Sequence, residues 1–165
     1  MPIRPFRSGD FATLFAANVA SVPGVGAETE ESLAKWIELA TCLVAVDAED
    51  QPLGFITVME IGQPEYDSPN MRWFETYAAQ TGKSVVYVDR IALLPAARGQ
   101  RLGEALYEGA FAQFAGRDEI GCEVNTLPDN PGSHRFHERL GFVAAGEATY
   151  QPGEKAVRFY TRPLG

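Results

Sequence analysis

Three stretches of this chain hold residue types that could do chemistry. The first is Ile91-Ala92-Leu93-Leu94-Pro95-Ala96-Ala97-Arg98-Gly99-Gln100-Arg101-Leu102-Gly103, which reads as strand, tight loop and helix start. The first turn of a helix presents unpaired N–H groups and the positive end of the helix dipole. Gly99 and Gly103 let the backbone come close to a ligand or to the strand beneath, and Arg98 and Arg101 add fixed positive charge. Together they describe a cradle for an anion such as a diphosphate. An ordinary strand–turn–helix with solvated arginines has the same pattern. The loop is neither a Walker A run nor the Gly-x-Gly-x-x-Gly of a dinucleotide fold.

The second stretch runs from Asn130 to Phe142. Helical spacing puts Asn130, Ser133 and His137 on one stripe and Phe136 and Leu140 on its neighbour, so one stripe can face a ligand while the other faces the core. A plain N-cap and a glycine stop account for part of this pattern. The third holds Asn70, Trp73, Phe74 and Tyr77 at i, i+3, i+4 and i+7, one helical face that lines a site, packs in a core or forms a dimer contact. His134 and His137 are the only two histidines and find no third ligand at a suggestive spacing, so no metal is expected. Cys42 and Cys122 stand far apart and read as two buried thiols in a reducing cytosol.

The elements that position these residues follow from periodicity and punctuation. Ile3 to Arg7 reads as a short edge strand. Ser8 caps a helix with Phe11, Leu14, Phe15 and Asn18/Val19 on its apolar face, and residues 22–26 break it. Thr29 caps a second helix with Leu33, Trp36, Ile37 and Ala40 as its stripe. Cys42–Val46 and Leu53–Ile61 form a hairpin. The long connection from Gln63 to Ser84 carries a helix, with Ser68 as cap, Pro69 in first position and a stop near Gly82. Ser84–Leu93 is a buried strand, Leu102–Ala115 a largely apolar helix and Ile120–Val124 a second buried strand, parallel to the first through a right-handed crossover. Asn130 caps the next helix, which Gly141 ends. Phe142–Tyr150 and Ala156–Arg162 close the chain as a hairpin.

The chain has 165 residues, 45% hydrophobic and 22% charged, values that suit one folded domain rather than a disordered chain. A net charge of −8 argues against nucleic acid and anionic membranes as partners. No apolar stretch approaches the length of a membrane span, and the N-terminal residues lack the apolar region of a secretory signal, so a cytoplasmic location is expected.

Arg98-Gly99-Gln100-Arg101-Leu102-Gly103 resembles the pyrophosphate loop of the GCN5-related N-acetyltransferase (GNAT) superfamily, Arg/Gln-x-x-Gly-x-Gly/Ala after the fourth strand. It matches at Arg98 and Gly103 and departs at Arg101, where the family usually has glycine. Asn130 to Phe142 independently resembles the family segment in which Asn opens a helix and Leu-Gly-Phe ends it. The element order resembles the family over the whole chain. Ser68–Phe74, Tyr87–Ile91 and Cys122–Asn125 resemble a subgroup of its bacterial members.

The resemblance implies a fold and a chemistry. The fold is a single α/β N-acetyltransferase domain over residues 1–165, with helices on both faces of a mixed, mostly antiparallel sheet. Its parallel strands around Val88 and Cys122 splay, and residues 62–83 form an insert walling the acceptor site. The implied cofactor is acetyl-CoA. It is held by Ile91, Ala92, Leu93, Arg98, Gly99, Gln100, Arg101, Leu102, Gly103, Asn130, Ser133 and Phe136. The implied acceptor is a small-molecule primary amine that attacks directly in a ternary complex. Glu123 stands at the family's general-base position and Asp89 is a second candidate, each otherwise a strand-end carboxylate paired with arginine. The family's tyrosine acid falls at His137, a departure, with Tyr150 as the fallback donor. Asn70, Trp73, Phe74 and Tyr77, near Glu65 and Asp67, wall the acceptor. The departures at Arg101 and His137 motivate an alternative, a non-catalytic acyl-CoA sensor or interaction module on the same fold. A protein N-terminal acetyltransferase is a further one, and a homodimer is compatible with the small-amine reading.

Overall fold

A computed structural model describes residues 2–165. Its strands are β1 (Ile3–Pro5), β2 (Thr41–Val46), β3 (Pro52–Glu60), β4 (Val85–Leu93), β5 (Glu119–Leu127), β6 (Val143–Gln151) and β7 (Lys155–Pro163). Its helices are α1 (Phe11–Ser21), α2 (Glu30–Leu39), α3 (Pro69–Thr81), α4 (Leu102–Gln113) and α5 (Pro131–Arg139). The seven strands hydrogen-bond in the order β1-β2-β3-β4-β5-β7-β6. Two compact units share this chain: one holds the residues up to Glu60 with Val88–Phe114, the other Ile61–Tyr87 with Ala115–Gly165. Among the described residues, no helix is long and apolar enough to cross a membrane.

In the first unit β1, β2 and β3 pair antiparallel. β2 is buried from Cys42 to Val46, as its unbroken apolar run requires. Leu14 and Ala17 of α1 and Leu33 and Ile37 of α2 close over Val44, Phe55 and Ala92. Burial of each large side chain contributes roughly 1.5–3 kcal/mol. Thr29 caps α2 as expected, its hydroxyl accepting from Ser32 N. Ser8 does not cap α1: Ser8–Asp10 is a 3-10 turn, and the buried Asp10 carboxylate accepts from Arg7 N at 2.8 Å and pairs with Arg4. An ionised carboxylate is the stronger acceptor for an orphan amide. Val19 is exposed, and the buried stripe of α1 is Leu14, Ala17 and Asn18.

In the second unit β4 pairs with β5 in parallel through Val85↔Glu119, Val86↔Ile120 and Tyr87↔Gly121. β7 pairs antiparallel with both β5 and β6. β5 runs three residues beyond the expected Val124, because Asn125 and Leu127 still pair with Val157 and Ala156. Ser68 Oγ accepts from Met71 N, Pro69 opens α3, and Gly82 ends it at φ +71°. α3 seats its rings where the sheet has no side chains. A Cβ on Gly121 would lie 2.7 Å from Phe74 Cζ, and one on Gly146 2.5 Å from Trp73 Cζ2.

This seating makes a prediction. Gly121→Ala and Gly146→Ala each lower the unfolding free energy in urea by about 1–3 kcal/mol, the usual cost of overpacking. Gly116→Ala, where a methyl group meets nothing within 4 Å, changes it by less than about 0.5 kcal/mol.

Candidate active site

Alternation along β5 puts Gly121, Glu123 and Asn125 on one face. The ladders carry that face outward. Tyr87 pairs with Gly121, Glu123 with Phe159 of β7, and Phe159 with Gly146 of β6. α3 covers the same face, with Trp73 stacked on Phe159 at 4.1 Å between ring centroids. On this face the Tyr87 hydroxyl donates to Glu123 Oε1. The Tyr150 hydroxyl donates to Asn70 Oδ1 at 2.5 Å. Burial, and then the negative charge of Glu123, push the Tyr150 hydroxyl up to about 12. Lys155 Nζ donates to Asn125 Oδ1 at 2.8 Å. A half-buried carboxylate and a hydroxyl donor thus share one face of one unit, an arrangement that can accept a proton and stabilise developing negative charge.

Of the expected acceptor-wall residues, Asn70 reaches this cluster. Trp73 and Phe74 are taken up in ring packing, and Tyr77 donates to Glu119 Oε1 at 2.6 Å. Glu65 and Asp67 are exposed. Asp89 lies in the other unit as half of a buried ion pair: Arg90 Nε meets Asp89 Oδ2 at 2.8 Å. The same guanidinium reaches Glu28 Oε2 at 3.1 Å, Asn18 Oδ1 at 2.9 Å and Gly26 O at 3.2 Å. This cluster pins the α1–α2 connection to β4.

Asn130, Ser133 and His137 share a stripe of α5, Ser133 Oγ lying 3.3 Å from His137 Nδ1, but the inward and outward faces are not divided as expected. Its buried residues are His134 and His137, while Phe136 and Leu140 are half-buried. Asn130 caps it, accepting from Ser133 N at 3.3 Å. His134 Nε2 faces Asn125 O at 3.0 Å and its Nδ1 the Tyr160 hydroxyl at 2.6 Å. A carbonyl can only accept, so Nε2 carries the proton and Tyr160 donates to Nδ1. His137 Nδ1 lies 2.8 Å from Ser133 O, and its ring packs against Phe136 and Phe142. Burial pulls its pKa down to about 4.

In the first unit, Arg98 and Gly99 lead into α4. Gly99 has φ +82° and Arg101 φ +60°. The first α4 bond runs from Ala105 N to Arg101 O at 3.1 Å, so the amides of Leu102, Gly103 and Glu104 precede the ladder. The Arg101 side chain is exposed, and Arg98 Nη2 lies 3.3 Å from Ala20 O at the end of α1. The left-handed turn at Arg101 explains why glycine suits that position. The donor set, backbone amides flanked by guanidinium groups, fits a diphosphate. Behind it Gly54 lets β3 approach β4 closely, since a Cβ there would lie 2.5 Å from Ala92 O. Among the described residues, no group of three or more His, Cys, Asp and Glu could hold a metal.

The model of the acetyltransferase (GNAT) family matches residues 13–142. The chain belongs to the GNAT family. It is accordingly an acetyl-CoA-dependent acetyltransferase with the GNAT fold, a mixed seven-stranded sheet with β4 and β5 parallel and five helices. Solved GNAT structures superpose on it along nearly their whole length. The ribosomal-protein-S18-alanine N-acetyltransferase from Escherichia coli is 15% identical with a TM-score of 0.73, over 99% of this chain and 93% of that one. A GNAT superfamily phosphinothricin acetyltransferase from Sinorhizobium meliloti in complex with AcCoA is 19% identical with a TM-score of 0.71, over 100% and 90%. A chain of the NatC complex bound to Gag peptide and CoA is 18% identical with a TM-score of 0.72, over 100% of each. No curated protein sequence matches the chain significantly.

The buried His137 makes the stability pH-dependent. Its imidazole takes up a proton near 6.5 in the unfolded chain but only near 4 in the folded one. Between these values the unfolded chain binds more protons, so stability falls as pH falls. From pH 7 to pH 5 the unfolding free energy in urea drops by about 2 kcal/mol more in the wild type than in His137→Gln.

Proposed function

We propose that this GNAT protein acetylates the primary amine of a small molecule by direct attack, with Glu123 as general base. The observation that carries this reading is the cluster of Glu123, Tyr87, Tyr150 and Asn70 on the α3 side of β5. Bound acetyl-CoA supplies the acetyl group as an activated thioester. The amides and guanidinium groups of Arg98, Gly99, Gln100, Arg101, Leu102 and Gly103 hold its diphosphate. The main chain of Ile91, Ala92 and Leu93 would hold the pantetheine arm. Glu123 accepts the proton the attacking amine loses.

Tyr150 takes the donor role in this proposal. His137 is buried and holds a single ring proton at neutral pH, with Nδ1 against Ser133 O. A phenol as weakly acidic as Tyr150 keeps its proton beside a thiolate of pKa about 8.5, and on turning from Asn70 Oδ1 its hydroxyl would stabilise the departing sulfur by hydrogen bonding. Asp89 is neutralised by Arg90 and acts structurally. Cys42, whose thiol burial pushes up to about 12, is no nucleophile, in keeping with direct attack.

A small acceptor is supported by the way α3 fills the face around Glu123. Trp73 and Phe74 lie down on Gly146 and Gly121, occupying sheet surface along which an extended peptide would otherwise run. A cytoplasmic location accords with Cys42 and Cys122 both being buried thiols.

Thiol release from acetyl-CoA is measured against a panel of free amines and of peptides. Release with small amines and not with peptides is the expected outcome; acetylation of peptides alone, or CoA binding with no release for any acceptor, sinks the reading. Glu123→Gln lowers kcat by about 100-fold or more while the calorimetric Kd for CoA stays within twofold.

A further inference from the structure

We propose that Tyr87 is the positioning residue of the acid–base site, holding the Glu123 carboxylate ionised and in one orientation. The inference rests on the reading of Glu123 as the base. Tyr87 is 1% exposed, and its ring lies 5.5 Å from that of Phe74, so packing fixes the direction in which its hydroxyl points. That hydroxyl crosses from β4 to β5 and meets Glu123, two residues beyond Gly121, its ladder partner. A phenol has one proton to give, and here it goes to Oε1. A donor aimed at a carboxylate favours the charged form, which opposes the effect of burial on Glu123. With Oε1 engaged, the carboxylate is held from rotating.

The other ionisable groups on this face have their own engagements. Tyr150 of β6 donates to Asn70, and Lys155 of β7 donates to Asn125. Tyr77 of α3 and Lys83, from the loop before β4, both bond Glu119. Tyr87 donates to the Glu123 carboxylate itself, from an adjacent strand.

Carbon-13 NMR of the glutamate carboxylates reads this without any acceptor, with Glu123 assigned by its loss in Glu123→Gln. In Tyr87→Phe the Glu123 midpoint rises by about one pH unit. The acidic limb of kcat/KM, measured with the best small amine, rises equally while KM for acetyl-CoA stays within twofold. An unmoved midpoint in folded Tyr87→Phe overturns the proposal. A midpoint that rises while the acidic limb stays in place supports the Tyr87–Glu123 coupling and instead removes Glu123 as the base. If Tyr87→Phe does not fold, Glu123→Gln tests the same contact from the other side. The Cζ signal of Tyr87 then titrates about one pH unit lower than in the wild type, and an unchanged titration overturns the proposal.

Discussion

The close seating of α3 on the sheet is the constraint from which the arrangement around Glu123 follows. Glycine at 121 and 146 removes the side chains that would hold the helix off, and Phe74 and Trp73 descend into the space. Three consequences come from that one approach. Asn70, one turn before Trp73, arrives within hydrogen-bond reach of Tyr150. Phe74 presses on the ring of Tyr87 and sets where its hydroxyl points. Tyr77 lands on Glu119 and anchors the far end of the helix. Packing and chemistry are one arrangement here, because the same four helical positions supply the rings that pack and the amide that reaches the site.

The charged groups divide into two kinds. Arg90 and Asp89, 2% and 3% exposed at their side chains, neutralise each other, and Glu28 and Asn18 complete the guanidinium's shell. Taking such groups out of water is costly unless each finds a partner, and this cluster provides them. Glu123 is only half-buried and takes a hydrogen bond from the Tyr87 hydroxyl. Asp89 has its charge and hydrogen-bonding capacity taken up by a guanidinium, whereas Glu123 meets a hydroxyl. The contrast separates two strand carboxylates, one of which has arginine as its chain neighbour.

Much of the fold was legible because its punctuation is local. Thr29, Ser68-Pro69, Gly82, Asn130-Pro131 and Gly141 act within a few residues of themselves, and the helices begin and end where they stand. Ser8 misled because Asp10, two residues later, was the better acceptor once Arg4 came beside it from β1. The site was less legible. Glu123 and Tyr150 can be singled out by type and place, but the pairing of Tyr87 with Glu123 depends on a parallel register that no local pattern encodes. Which side of α5 turns to the core was misread for a related reason. Helical spacing tells which residues share a face, not which face turns inward, and two histidines were buried because Tyr160 and the carbonyls of Asn125 and Ser133 were there to satisfy them.

The left-handed backbone at Arg101 carries a consequence for how this loop could be re-engineered. A residue with a Cβ sits there at a cost of roughly 1 kcal/mol, which glycine avoids. Replacing it by glycine would ease the main chain and discard a long cationic arm in the same step. Rigidity and charge are therefore traded against each other at a single codon, and a designer seeking a sturdier version of this protein would have to restore the lost cation from another point on the rim.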